Sequence, residues 1–438
     1  MDRSAMSGRI GRWIEEHKAE SAALAADMVR IPSVNHPPVG NEAAYQLFFA
    51  ERLRELGSDV TVYALDDVPG LTDHPAFMKG RQYANRPNVH GRFAGSGGGR
   101  SLVFSGHADT VYEGVEPWQD GPFEGAIRDG KLFGRGSYDM KGGMAAALEA
   151  VRCLKESGIR LRGDVYIESV VDEEHGGANG TLAGRLMGVN PDMAIIPEPT
   201  NLVPYPAHLG GGIWKAEFSG KSGIGFNGEE LVSALDATVS FAMLLQKFGS
   251  RLNELVKPHP FWSDSGRGLE VVVLSIVSGD TRRELQEKLP ADGKLNFWIE
   301  GYPGITGAQL LDMLWAFYES ELPNYPILAK CKPRISPLIR YLDGSEMKAG
   351  EPTDRFLETV KRSGALALGR EPAKPTGSPF ACDGFMFNLH SPTPALLLGP
   401  SGANAHAADE YMDLDSYYGL IRWFAEIMID WCAAEGDL

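Results

Sequence analysis

The chain has 438 residues, 43% of them hydrophobic, which exceeds one average domain and is enough to bury a sizeable core, so two domains are expected. A formal net charge of -16 argues against a nucleic-acid backbone as partner. Cys153, Cys331, Cys382 and Cys432 form neither a CxxC pair nor a regular framework, the first residues lack a basic-then-apolar leader, and no apolar run is long enough to span a membrane, so a cytoplasmic setting without a membrane partner is expected.

Taken in chain order, Ile10 to Val29 carries apolar residues at roughly helical spacing and predicts a helix, which Ile31-Pro-Ser-Val-Asn-His36-Pro-Pro breaks. Ala44 to Leu56 reads as a second helix and Val60 to Tyr63 as a strand; His36 reads as a surface histidine, and nothing in the loop from Pro69 to Pro87 demands function. Val103 to Asp109, VFSGHAD, is an apolar run that ends in His107-Ala-Asp109 where a buried strand gives way to a loop. There one residue can ligate a metal while the other fixes the imidazole tautomer. Gly134 to Gly143 is a glycine-rich turn that bears Asp139 and leads into a helical run from Met144 to Lys155. Val170-Val-Asp-Glu173-Glu174-His175-Gly-Gly closes another strand-like run with acids, and Ile195-Ile-Pro-Glu198 closes a third.

This alternation from Leu102 to Pro199 predicts βαβ units in a mixed, largely parallel sheet, whose carboxyl edge is where ligands bind. After Pro206 the rhythm changes. Strand-like Ile213 to Ser222, helical Glu229 to Phe248, strand-like Leu269 to Ser278 and Leu295 to Tyr302, helical Ala308 to Glu321 and extended Ile327 to Ile335 give the order βαββαβ of a ferredoxin-like α+β unit. It reads as an insertion over residues 209–336 into a first domain of residues 1–208 and 337–438, which supplies the apolar run Ala395 to Leu398 and then Gly402-Ala-Asn-Ala-His406-Ala-Ala-Asp-Glu410.

The segments SGHADTV, GRGSYDMKGG, VVDEEHGG, PEPT and GANAHAADEY resemble, in order, the motifs of the di-metal amidohydrolase and exopeptidase family of acetylornithine deacetylase, succinyl-diaminopimelate desuccinylase, aminoacylase and carboxypeptidase G. The resemblance implies a zinc-exopeptidase-like α/β catalytic domain with an inserted lid that also makes a homodimer. It implies that His107 and Glu198 serve one metal, Glu174 and His406 a second, and that Asp139 bridges them, with Glu173 as general base and Asp109 orienting the His107 ring. Imidazole and carboxylate donors suit one or two zinc, manganese or cobalt ions.

Two lid positions depart from the family. Gly220-Lys-Ser-Gly-Ile224 has isoleucine where relatives place a histidine that stabilises the oxyanion, and Trp298, Ile299 and Glu300 stand where an arginine is common before Pro-Gly. Ile224, Phe226, Asn227 and His208 are therefore candidate substrate residues, Asn227 or His208 being able to replace the missing donor. The reading placed first is hydrolysis of an amide C–N bond in a small molecule by attack of metal-bound hydroxide. The alternative is deamination of an electron-poor aromatic amine such as a nitroanthranilate, where the ring takes up the charge. A non-catalytic binding relative ranks last, because ligands and base are all present.

Overall fold

A computed structural model describes residues 2–435. They form two compact units, one from the chain up to Ala207, Glu346–Ser378 and the chain from Asp383 on, the other from His208–Ser345 with Pro379–Cys382. Against the expected end at residue 336, the second unit runs on to Ser345, and Gly211 and Leu342 exchange backbone hydrogen bonds of 3.0 and 2.8 Å there.

The first unit is built on a six-stranded sheet in the order Ala395–Leu397, Met193–Ile196, Leu102–His107, Val165–Val170, Pro87–Phe93, Asp59–Ala64. The first four run parallel and the last two join antiparallel. Every residue of Leu102–His107 is buried, as a central parallel strand covered on both faces requires. Helices Arg3–Val29, Lys141–Glu156 and Leu414–Cys432 pack together, and Phe104 from the central strand meets Phe424 with ring centroids 4.7 Å apart. The strands end on one edge, so His107, Asp172-Glu173-Glu174 and Pro197-Glu198 all leave the sheet together.

The second unit is a four-stranded antiparallel sheet in the order Val271–Ser278, Asp292–Gly301, Gly210–Ser219, Arg334–Pro337, with helices Ala234–Leu255 and Gly307–Glu321. Trp214, Ala216 and Phe218 alternate inward along their strand and meet an aromatic cluster of Phe241, Phe297 and Tyr318. Two elements differ from the reading above. The first long helix starts at Ala234, not Glu229, because Ser233 caps it by accepting the Asp236 amide at 3.1 Å. Within the stretch read as extended, Pro326–Lys330 is helical and only Arg334–Pro337 is strand: Pro326 sits in the first turn, where its fixed φ suits a helix.

Candidate metal centre and active site

His107 is the last residue of its strand and is 1% exposed. Its Nδ1 lies 2.7 Å from the main-chain oxygen of Asp109. A carbonyl can only accept, so Nδ1 carries the proton and Nε2 presents its lone pair to the site. Nε2 faces Asp139 Oδ1 at 3.2 Å and Glu198 Oε1 at 3.9 Å. From the far loop, His406 Nε2 faces Asp139 Oδ2 at 3.3 Å and Glu174 Oε2 at 3.1 Å. The two oxygens of one carboxylate thus look at two different histidines. Beside them Glu173 Oε1 accepts the Asp383 amide at 3.2 Å, and one carboxylate oxygen each of Glu173, Glu198 and Asp383 lies within 4.8 Å of the others.

The charges at this edge are crowded. Burial, and then the neighbouring carboxylates, hold Glu173 and Glu198 well above the ordinary glutamate range, and burial likewise raises Asp383. Burial opposes a charge on His107, but Asp139 and the surrounding glutamates outweigh it and raise the ring well above its usual value; Glu174 and then Asp139 raise His406. Burial opposes the Asp139 charge too, yet the two histidines hold that carboxyl far down. An anionic set of nitrogen and oxygen donors, with the His107 lone pair directed by the Asp109 carbonyl, fits divalent transition-metal ions. His107, Asp139 and Glu174 place one donor atom each within 4.8 Å of one another.

Three supports of this centre escaped the sequence reading. Asp109 orients His107 through its main chain, not its side chain; its carboxylate instead accepts the amides of Glu173 and Glu174, each at 3.0 Å. Glu410 is wholly buried, and its Oε1 accepts the amides of Gly136, Tyr138 and Asp139 at 3.0, 2.9 and 3.0 Å while Oε2 pairs with Arg135 at 2.5 Å. That glutamate ties the Asp139 turn to the His406 loop, where Asn404, His406 and Asp409 all adopt left-handed backbone. The signal was its place four residues after His406, although nothing local says that a loop carboxylate will be buried. Finally, the loop between Pro69 and Pro87 is not idle, since Arg81, Tyr83 and Arg86 all reach Asp172.

The candidate substrate residues belong to the second unit. Ile224 is 55% and Phe226 84% exposed, on a loop that also exposes Asn227. His208 is buried, with Nδ1 2.9 Å from Leu209 O and Nε2 2.8 Å from Ser345 Oγ. Because Nδ1 must donate to that carbonyl, Nε2 is an acceptor from the serine, and the neutral ring has no proton left for an oxyanion. Its expected substrate role is therefore corrected to one of packing. At the lid position where the resemblance led an arginine to be expected, Glu300 is buried and bidentate with Arg267 at 3.0 and 2.9 Å. Trp214 is core, and Trp298 lies over Gly211, where any side chain would collide with its indole. Of the remaining polar residues, His36 is exposed, His175 is partly buried, and Lys141 donates to Ile31 O at 2.7 Å.

Residues 103–430 match the family model described as peptidase family M20/M25/M40. The chain belongs to the M20/M25/M40 family. It is similar to a succinyl-diaminopimelate desuccinylase of Gluconacetobacter diazotrophicus, 29% identical over 92% of this chain and 95% of the relative. It also resembles an N-formyl-4-amino-5-aminomethyl-2-methylpyrimidine deformylase of Bacillus subtilis, 34% identical over 44% of this chain and 42% of that one. Among solved structures, the dipeptidase Dug1p of Saccharomyces cerevisiae shares the fold with a TM-score of 0.74 at 18% identity, covering 97% of this chain and 98% of the other. This M20 member is a metallo-hydrolase of the amide-bond class, with the mixed α/β fold of its family. The aromatic aminohydrolase alternative gains no support from these comparisons.

Proposed function

We propose that this M20 hydrolase removes an acyl group or a terminal residue from a small amide, with Glu173 as general base and with His107, Glu198, Glu174, His406 and a bridging Asp139 holding two divalent cations. The observation that carries the reading is the division of the Asp139 oxygens between His107 and His406. When bound, such cations polarise a carbonyl and bring the pKa of water to near 7. The rest falls to the chain. Burial favours the protonated form of Glu173 against the pull of His107, which suits a carboxylate that takes a proton from water and returns it to the leaving nitrogen. Asp139, held ionised between two imidazoles, is suited to bridging instead.

Of the two oxyanion donors named from the sequence, His208 is engaged in packing, whereas Asn227 is exposed on its loop. We also propose that the protein works as a homodimer through this unit. Val271–Ser278 is an edge strand that exposes Val272, Leu274, Ile276 and Val277, and helix Ala234–Leu255 exposes Leu235, Val239 and Met243 at a spacing of four. Unpaired apolar edges of this length are covered in stable proteins, here by a second copy. Cys153, Cys331 and Cys432 are buried thiols outside any disulfide, which supports a reducing, cytoplasmic setting.

The test is to load the protein with manganese, zinc or cobalt and assay N-succinyl-diaminopimelate, N-acetylornithine, the N-formyl aminomethylpyrimidine and dipeptides beside substituted anthranilates. Release of carboxylate or amino acid supports the reading. Ammonia from an anthranilate with no amide cleaved overturns it in favour of ring deamination.

A further inference from the structure

The residue before the general base has a left-handed backbone, which few residue types besides glycine, asparagine and aspartate adopt. Asp172 is wholly buried with φ 70, in the left-handed region, where a non-glycine residue is strained. It is also the focus of a buried ionic network. Arg81 Nε donates to Asp172 Oδ2 at 2.9 Å and its Nη2 to Oδ1, Tyr83 Oη donates to Oδ2 at 2.8 Å, and Arg86 Nη2 donates to Oδ1 at 3.0 Å. Arg86 is in turn bidentate with Glu42 at 2.8 and 2.5 Å. Buried ion clusters of this kind are weak sources of stability, because desolvation offsets their attraction.

The network does have a geometric output. Asn35 Nδ2 donates both to Asp172 Oδ1 at 2.9 Å and to Asp109 Oδ2 at 2.7 Å, joining the network to the carboxylate that clamps the Glu173 and Glu174 amides. The Asp172 carbonyl accepts the Ala178 amide at 2.9 Å and that of Glu173 accepts Gly177 at 2.7 Å, which closes the turn. Both successive glutamates are thereby aimed into the site, Glu173 toward Asp383 and Glu174 toward His406.

We propose that Asp172, gripped by Arg81, Tyr83 and Arg86 and linked through Asn35 to Asp109, is a positioning residue that sets the direction of Glu173. It acts on the base, not on substrate, and the inference rests on Glu173 being that base. Glu174 has further holds on its carboxylate, the Val111 amide at 3.3 Å and His406 at 3.1 Å, so losing the tether leaves that donor in place but lets Glu173 wander, and a displacement of about 1 Å can cost about 10²-fold in rate.

The test compares Asp172→Gly, which adopts this φ freely but has no carboxylate, with Asp172→Asn, which tolerates the same φ and keeps an acceptor oxygen. Asn35→Ala cuts the link while leaving every ion pair intact, and serves if Asp172→Gly does not fold. For the amide that the wild type hydrolyses fastest in the panel above, Asp172→Gly and Asn35→Ala are expected to lower kcat by about 10²-fold. KM and manganese content should stay unchanged, and Asp172→Asn, which keeps one of the two acceptor oxygens, should fall between Asp172→Gly and the wild type in rate. Hydrogen exchange over residues 170–178, which needs no substrate, should speed up in the two damaging variants and less so in Asp172→Asn. Wild-type kcat and exchange in both damaging variants would overturn the inference, as would metal loss in step with kcat, which marks a merely structural role. Glu173→Gln run alongside separates the two readings: full activity there refutes the base itself, whereas an inactive Glu173→Gln with silent Asp172 and Asn35 variants refutes only the tether.

Discussion

His107 and Glu173 sit at the same strand edge but are asked for opposite things, one an exposed lone pair and the other a movable proton. Glu173→Ala is therefore expected to keep its metal and lose turnover by about 10²–10⁴-fold, whereas His107→Ala loses metal affinity. Metal content by elemental analysis beside kcat checks this, and equal metal loss in both variants would contradict the assigned roles. His208 makes a different kind of prediction. Burial depresses its pKa from 6.5 to about 4, so below pH 6.5 the unfolded chain takes a proton that the folded chain refuses. Its stabilisation is complete above pH 6.5 and is lost as pH falls toward 4, by about 3 kcal/mol in all. Denaturant melts across that range should show the slope in the wild type and a flatter one in His208→Gln; identical slopes would refute the buried neutral ring.

Among the elements, helix Lys141–Glu156 matters most, because its first turn follows Asp139 directly. A side chain at Gly143 would collide with the Pro197 carbonyl, one at Gly142 with Ser137 O and the Met412 sulfur, and one at Gly399 with the Glu198 carbonyl. These glycines let the helix and the Glu198 corner approach closely enough for Asp139 and Glu198 to share His107. Gly143→Ala should therefore lower stability by about 1–3 kcal/mol and weaken manganese binding, read by thermal melting and calorimetric titration. Gly8→Ala is the control, since Gly8 lies inside helix Arg3–Val29 with nothing within 4 Å of an added Cβ, and it should stabilise by roughly 0.5–1 kcal/mol. An equal gain at Gly143 would show that no close approach exists there.

At the scale of the whole molecule, the apolar edge of Val271–Ser278 is the feature a soluble monomer would not keep. Leu274 is 51% and Ile276 44% exposed. Replacing both with glutamate should convert a dimer to a monomer in light scattering while leaving the far-ultraviolet circular dichroism unchanged. A wild type that is already monomeric would rule the interface out.

What the sequence by itself determined was the class of most segments and a set of candidate donors. Period-two and period-3.6 patterns mark strands and helices, a parallel sheet puts the residues after its strands on one edge, and the resemblance of five motifs to the family implied His107, Asp139, Glu173, Glu174, Glu198 and His406 as a set. The βαββαβ rhythm was legible for the same reason, and its misread pieces, the start at Ala234 and the Pro326 turn, were set by a single cap and a single proline. Only the tertiary structure decided which groups support the donors. Glu410, Asp172 and Arg81 lie in loops and Asn35 in a two-residue strand, where sequence favours solvent, yet their side chains are buried because distant segments bring each a partner of opposite charge or hydrogen-bonding sense. The same holds for Asp109, whose carboxylate serves amides 64 and 65 residues away, and for His208, whose two nitrogens are satisfied before any substrate arrives. Complementarity between segments far apart in the chain has no period, and so leaves no trace in a local pattern.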